Sequence, residues 1–120
     1  MNGQLIDGKA IAQKIRAEIK ERISKLQTKP GLAVVLVGDN PASKVYVAIK
    51  KKTCGEVGIY SEEYNLPEES TEKEVLELIR KLNNNEKINA ILVQMPIPKH
   101  IDTEKVLAEI AIEKDVDGFS

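Results

Sequence analysis

A tyrosine and a lysine one helical turn apart are the first candidates for chemistry in this sequence. Tyr46 and Lys50 both lie in the segment VGDNPASKVYVAIKKKTC. At about 100° per residue, Lys50 falls about 40° from Tyr46 on a helical wheel, on the side that carries the apolar residues. Three neighbouring lysines fall on the solvent side of the wheel: Lys44, Lys51 and Lys52. Lys50 is therefore predicted to lie on the apolar face of this helix.

Two interpretations of Lys50 follow from its position. Its aliphatic stem can lie along apolar surface while the ammonium reaches water, which is the common behaviour of lysine. Alternatively, the amine lies in a ligand cleft, where desolvation would lower its pKa and let it act as a base or nucleophile. Tyr46 can form a hydrogen bond or stack on a flat ligand. The residues alone leave both interpretations open.

Gln94 and two aspartates are the other polar candidates. Gln94 follows the apolar run Ile91–Val93. It either satisfies loop backbone groups or holds the lysine amine without adding charge. Asp115 and Asp117 belong to the segment KDVDG. They either form a turn, as Asp-Gly pairs often do, or provide a carboxylate that binds ring N–H groups of a ligand.

Alternating helix and strand patterns must position these candidates. The first predicted helix covers residues 8 to about 27 with Asp7 as N-cap, and the second covers residues 41 to about 57. A third helix begins at the capping box Thr71–Glu74 and ends at Asn83–Asn85, and Asp102 caps a fourth. The predicted strands cover residues 32–37, 59–66 and 90–95, with 59–66 nearest an edge. This order predicts an α/β fold with three layers, α/β/α, and a mostly parallel sheet. Ligands of such sheets bind at the carboxyl ends of the strands, where Gln94 and the helix of Lys50 begin.

Composition narrows the function classes. The chain has 120 residues, which suits one domain, and a net charge of −1, which disfavours nucleic acid or an anionic membrane as partner. Cys54 is the single cysteine, predicted to be a small buried residue, and fits a reducing compartment. No signal peptide, transmembrane segment, metal-ligand spacing or G-x-G-x-x-G motif is present in the sequence. His100, the single histidine, is expected in an exposed loop.

Two long motifs resemble one enzyme family. VGDNPASKVYVAIKKKTCGEVGI resembles the first signature of the bifunctional methylenetetrahydrofolate dehydrogenase/methenyltetrahydrofolate cyclohydrolase family, and ILVQMPIPKHID followed by KDVDGF resembles the second. The resemblance covers essentially the whole chain. It implies that residues 1–120 form a folate-binding catalytic domain, similar to the N-terminal domain of amino-acid-dehydrogenase-like two-domain enzymes. It also implies a cytoplasmic enzyme of one-carbon metabolism that is a homodimer at full length.

The resemblance assigns a role to each candidate residue. The implied catalytic residues are Lys50, Tyr46 and Gln94, with Gln94 orienting the lysine. The implied substrate-binding residues are Tyr46, Ser43, Gln94, Pro96 and Asp117. Asp117, the second aspartate of KDVDG, is expected to bind the pterin ring of the folate.

The implied chemistry has two steps. Methylenetetrahydrofolate gives a hydride to NADP or NAD, and water then opens the resulting methenyltetrahydrofolate to 10-formyltetrahydrofolate. Because the methenyl group is cationic, a lysine of lowered pKa avoids repulsion and can help to deprotonate water. The family places its nicotinamide cofactor in a Rossmann domain that continues after the segment matched here. We therefore expect this chain to be a truncated N-terminal half that lacks efficient dehydrogenase activity alone.

Two residues depart from the family pattern, and two rival interpretations of the chain also stay open. Ile112 stands where members usually have proline, and Ser120 stands where many have histidine. One rival is a module that binds folate without turnover. The other is the substrate domain of a different two-domain dehydrogenase.

Overall fold

The computed structural model describes residues 8–24 and 31–115, and the side chains of the first helix over residues 9–21. The elements, in chain order, are α1 Gly8–Ser24, β1 Gly31–Val37, α2 Pro41–Glu56, β2 Tyr60–Leu66, α3 Glu72–Asn83, β3 Ala90–Val93, α4 Thr103–Glu109 and a 3₁₀ turn Ile112–Lys114. The predicted α/β order of elements is confirmed. Asp7, the predicted N-cap of α1, lies outside the described residues.

The three strands form one parallel sheet in the order β2-β1-β3. The central strand β1 is buried along its whole length, because helices cover both of its faces. Its residue Leu32 pairs with Ser61 of β2 on one side and with Ala90 of β3 on the other. The prediction that β2 is a polar edge strand is confirmed.

Two apolar cores lie on opposite faces of the sheet, as the alternation of side chains along a strand requires. Ala33, Val35 and Val37 pack against α3 and α4, in a core that includes Val75 and Val106. The alternate residues of β1 pack against α1 and α2, in a core with Ile15, Ile19, Val47 and Cys54. The predicted three-layer architecture is thus confirmed. Cys54 is fully buried, and this burial raises the pKa of its thiol.

The ends of α2 are defined by local chemistry. Gly38 turns the chain out of β1 with a φ of 99°, a conformation that favours glycine. The side chain of Asn40 then caps α2 by accepting a hydrogen bond from the Ser43 amide, and Pro41 occupies the first turn. Gly58, with a φ of 75°, follows the other end of the helix. These features fix where α2 starts, and so the position of Tyr46 and Lys50 above the sheet.

The boundaries of α3 and the start of α4 agree with the predictions, whereas β3 is shorter than predicted. The predicted end of α1, at about residue 27, lies outside the described residues. The capping box of Thr71 and Glu74 opens α3, and Asp102 caps α4. β3 ends at Val93 rather than Met95, because the chain turns away before Pro96, which has no N–H to donate to a neighbouring strand. The 3₁₀ turn at Ile112–Lys114 was not predicted.

Candidate functional site

The candidate site lies where the strand order reverses. From β1 the chain crosses through α2 to β2 on one side, and from β2 it crosses through α3 to β3 on the other side of β1. The carboxyl ends of β1 and β3 therefore flank the crevice in which open α/β sheets bind ligands. Gln94 follows β3 directly, and its backbone amide still bonds to the Val35 carbonyl at 2.8 Å. The first turns of α2 rise from the end of β1 into the same crevice.

Lys50 and Gln94 meet in this crevice. The Lys50 Nζ donates a hydrogen bond to the Gln94 Oε1 at 2.5 Å. Gln94 is only 8% exposed, and its Nε2 donates to the Met95 carbonyl at 3.2 Å. Because the amide nitrogen bonds to backbone, the amide oxygen is directed at the lysine. Gln94 thus gives the amine of the half-buried Lys50 one uncharged contact.

A cleft of about 260 Å³ opens beside this pair. Tyr46, Lys50 and Gln94 form one wall, and α1 forms the other. Tyr46 is 38% exposed, so one turn before the lysine it presents an aromatic ring at the cleft. The structure therefore brings together the three residues that were predicted to be catalytic.

The contribution of α1 to the cleft was not predicted. Its wall consists of Ile11, Lys14, Ile15 and Glu18. These residues follow an i, i+3, i+4, i+7 pattern, which is one face of a helix. Ile11 and Ile15 belong to the apolar stripe of α1, whereas Lys14 and Glu18 belong to its charged face. Only the packing of α1 against α2 shows that the boundary between these faces lines the cleft.

Ser43 and Pro96 occupy positions around the cleft rather than in its wall. Ser43 is buried, and its Oγ donates to the Met95 carbonyl at 3.2 Å. That carbonyl also accepts from Gln94, so Ser43 links α2 to the segment that holds the amide. Pro96 is exposed and follows Met95 through a cis peptide bond. Asp117, the predicted pterin ligand, lies outside the described residues.

The turn between β1 and α2 does not fit the phosphates of a dinucleotide cofactor. The turn between β1 and α2 contains a single glycine, Gly38, and it carries the Asp39 carboxylate, which disfavours a phosphate. Pro41 has no N–H to offer, and the Ser43 amide is already bonded to Asn40. Across residues 8–24 and 31–115, no three His, Cys, Asp or Glu side chains are grouped so as to hold a metal ion.

His100 and the helix lengths complete the description of the structure around the site. His100 lies in an exposed loop, as predicted, and its Nε2 contacts the Ser70 carbonyl at 2.8 Å, which joins two loops above the sheet. In the part of the chain that the structure describes, no helix has the length and apolar character needed to cross a bilayer.

Comparison with known proteins identifies the family. Residues 6–117 match the family model described as tetrahydrofolate dehydrogenase/cyclohydrolase, catalytic domain. The chain is 61% identical over 119 residues to the bifunctional protein FolD of Geotalea daltonii, covering 97% of this chain and 42% of the relative. It is 56% identical over 123 residues to the FolD of Moorella thermoacetica, covering 100% of this chain and 44% of the relative. The chain thus spans less than half the length of these relatives.

Solved structures agree with the sequence matches. The FolD methylenetetrahydrofolate dehydrogenase/cyclohydrolase of Campylobacter jejuni superposes with a TM-score of 0.75 at 47% identity, covering 93% of this chain and 41% of that one. The enzyme of Trypanosoma brucei, solved with NADP cofactor and an inhibitor, gives a TM-score of 0.73 at 33% identity, covering 92% of this chain and 39% of that one. The chain therefore belongs to the FolD family of bifunctional tetrahydrofolate dehydrogenases/cyclohydrolases and matches its catalytic domain.

Proposed function

We propose that residues 1–120 form a folate-binding catalytic domain in which Lys50 is the general base for hydrolysis of 5,10-methenyltetrahydrofolate to 10-formyltetrahydrofolate. The observation that carries this proposal is the bond between the Lys50 amine and the Gln94 amide oxygen at the wall of the cleft. The Gln94 amide is uncharged, so this contact itself adds no electrostatic attraction that would favour the ammonium form of the lysine.

The proposed reaction uses each of the three residues. Water adds to the methenyl carbon, and the free amine of Lys50 takes a proton from that water as the C–O bond forms. The bond between this carbon and N5 then breaks as N5 takes a proton from the Lys50 ammonium. The hydroxyl on the carbon releases its own proton to solvent as the C=O bond forms, and the formyl group remains on N10. Gln94 orients the amine, and Tyr46 provides an aromatic surface for the flat rings of the folate.

The substrate-binding roles are proposed on the same basis. Ser43 supports the Met95 carbonyl to which Gln94 is bonded, so it acts on the cleft through the backbone. Pro96 borders the same segment. Asp117 is proposed to bind the pterin ring, as the family resemblance implies.

Dehydrogenation of 5,10-methylenetetrahydrofolate requires a nicotinamide acceptor, and the turn between β1 and α2 lacks the glycines of a dinucleotide-binding motif. We propose that NADP or NAD binds in the portion of the relatives that this chain does not match. We therefore expect this chain to show no appreciable NADP reduction with methylenetetrahydrofolate alone. Full-length rates of NADP reduction by this chain would contradict that expectation.

The hydrolysis proposal is tested by following the absorbance of methenyltetrahydrofolate at mildly alkaline pH with and without the purified chain. The matched variants are Lys50→Met and Lys51→Met, because Lys51 is an exposed lysine on the same helix. The expected result is an acceleration over the spontaneous rate that falls by about 100-fold in Lys50→Met, the usual contribution of a general base. Lys51→Met should keep the parent rate.

Two outcomes would contradict the proposal. Binding of folate without acceleration would indicate the non-catalytic module instead. Equal rates for the parent and Lys50→Met would remove the lysine from the mechanism.

A further inference from the structure

Two charged side chains of α1 line the cleft across from Lys50. Lys14 and Glu18 contribute to this wall together with Ile11 and Ile15. The four residues share one face of the helix, but they differ in exposure, because Ile15 is only 6% exposed whereas Lys14 is fully accessible to water. The α1 wall is therefore apolar at its inner side and cationic at its rim.

The two lysines that line the cleft differ in what their amines contact. Lys50 is half-buried, and its Nζ donates to the Gln94 Oε1 at 2.5 Å. Among the described residues, no hydrogen bond or ion pair engages the Lys14 ammonium, and the ion pair between α1 and α2 joins Arg16 to Glu56 instead. An ammonium offers three N–H donors. Lys14 can therefore pair with an anionic group of a ligand that reaches the rim of the cleft.

The volume of the cleft requires a bound folate to extend past this rim. The cleft holds about 260 Å³, which is less than the roughly 300–1,000 Å³ of pockets that enclose drug-sized ligands. A folate joins its pterin ring through a p-aminobenzoyl group to a glutamyl tail. The rigid aromatic ring thus separates the tail carboxylates from the reacting carbon. With that carbon beside the half-buried Lys50, the carboxylates lie toward the exposed side of the cleft.

We propose that Lys14 is a substrate-binding residue that pairs with a carboxylate of the glutamyl tail at the rim of the cleft. This inference rests on the proposed function, in which the methenyl carbon of a folate reacts beside Lys50. Glu18 lies one turn further along the same wall and carries the opposite charge, so the charges of α1 direct the tail toward Lys14. Because Lys14 is exposed, the pairing contributes the modest affinity of a surface ion pair.

Two ligands that differ only in the tail test this pairing by calorimetric titration of the chain. Tetrahydrofolate carries the glutamyl carboxylates, whereas the N-methylamide of tetrahydropteroate has the same pterin and p-aminobenzoyl groups but no carboxylate. In Lys14→Met, we expect the Kd for tetrahydrofolate to rise about threefold at low ionic strength, and the Kd for the N-methylamide to stay within about 1.5-fold of the parent. The difference between the ligands should disappear in about 1 M salt, which screens exposed charges.

Three further variants of α1 separate the charge of Lys14 from its shape. Lys14→Arg keeps the cation and should keep the parent preference for tetrahydrofolate over the N-methylamide. Lys20→Met removes an exposed lysine that lies on α1 outside the lining of the cleft, so it should change neither Kd. Glu18→Gln removes the opposite charge from the same wall, so the Kd for tetrahydrofolate should not rise.

Four results would overturn the assignment of Lys14. An unchanged Kd for tetrahydrofolate in Lys14→Met would show that the ammonium does not bind the tail. An equal rise of both Kd values would show that the side chain only shapes the cleft. Equal affinity of the parent chain for the two ligands would show that the tail is not recognised, while the proposed binding of folate would stand. A parent chain that binds neither ligand would overturn the proposed function together with this inference.

Discussion

Among the described residues, two lysines are at least partly withdrawn from water, and their surroundings differ. Lys50 lies at the carboxyl ends of the strands, where its amine contacts a side-chain amide beside a cleft. Lys114 lies at the C-terminal end of α3, where backbone carbonyls accept hydrogen bonds from all three of its N–H groups. The comparison shows that burial alone does not indicate function. A lysine whose donors are all bonded to backbone carbonyls supports the fold, whereas the lysine beside the cleft is the one for which we propose proton exchange.

The largest expected difference between the two lysines is in stability. Lys114→Met leaves three carbonyls without a donor and should lower the free energy of unfolding by about 3 kcal/mol. Lys50→Met leaves one amide next to a cleft that water can enter, so the loss should stay within about 1 kcal/mol. Urea unfolding followed by circular dichroism measures both. Equal losses for the two variants would remove the structural basis of the comparison.

The second prediction concerns Gln94, which should matter for rate more than for stability. Gln94→Ala removes the contact that we propose orients the Lys50 amine, and we expect hydrolysis of methenyltetrahydrofolate to fall about tenfold, equivalent to about 1.4 kcal/mol. The affinity for tetrahydrofolate should change less than the rate. Stopped assays at saturating substrate, with Gln94→Glu as a charged control, separate these effects. A parent-like rate in Gln94→Ala would show that the amide does not orient the lysine.

The third prediction uses the opposite end of α3 as a reference for Lys114. Thr71 and Glu74 form the capping box there, with the Glu74 amide bonded to the Thr71 hydroxyl at 3.1 Å. Thr71→Ala should cost about 1 kcal/mol, the usual value for an N-cap. Thermal unfolding of Thr71→Ala and Lys114→Met, measured side by side, shows which end of α3 contributes more to stability. If Thr71→Ala proved the more destabilising variant, the carbonyl cap by Lys114 would be weaker than its geometry indicates.

The smallest expected effect is on how stability depends on pH in the alkaline range, where Tyr64 and Lys114 both titrate. On β2, the Glu62 carboxylate accepts hydrogen bonds from the hydroxyls of Tyr60 and Tyr64, and the bond to Glu62 raises the pKa of Tyr64 to about 12. The folded state then holds this proton more tightly than the unfolded state, so the stabilising contribution is present below pH 10 and is lost as pH rises toward about 12.

Lys114 should contribute with the opposite sign. Because its pKa is lowered from 10.5 in the folded state, the unfolded chain binds more protons just below pH 10.5, and the contribution of Lys114 to stability rises with pH in that window. Glu62→Gln should return the Tyr64 ultraviolet titration toward 10 and reduce the alkaline loss of stability, whereas Lys114→Met should leave the tyrosine titration unchanged. A Tyr64 midpoint near 10 in the parent would contradict the role of Glu62.

The position of Lys50 on its helix could be predicted from the sequence, whereas the hydrogen bonds of Lys114 could not. The position of Lys50 follows from the regular geometry of one helix, whose cap and proline can be recognised locally. The bonds of Lys114 join residues 29 to 32 positions apart, and no local periodicity encodes such a contact. The same reason explains why the α1 wall of the cleft was missed, since the crossing of two helices depends on how their faces pack.

The parallel sheet and its edge were predictable for a related reason. A continuous apolar run such as β1 requires cover on both faces, and the polar pattern of β2 requires an edge position. The Asn83–Asn85 run was correctly predicted to close α3, but its role as the attachment site for Lys114 and for the Glu109–Ala111 backbone depends on the tertiary structure.

Chemical rescue of a Lys50→Ala variant tests the central claim most directly. If the neutral amine at this wall of the cleft is the base, methylamine added to Lys50→Ala should restore hydrolysis of methenyltetrahydrofolate in proportion to the concentration of its free base. A Lys51→Ala control should show no response beyond the spontaneous effect of the amine. Absence of rescue in a Lys50→Ala chain that still binds tetrahydrofolate would contradict the assignment of Lys50 as the base.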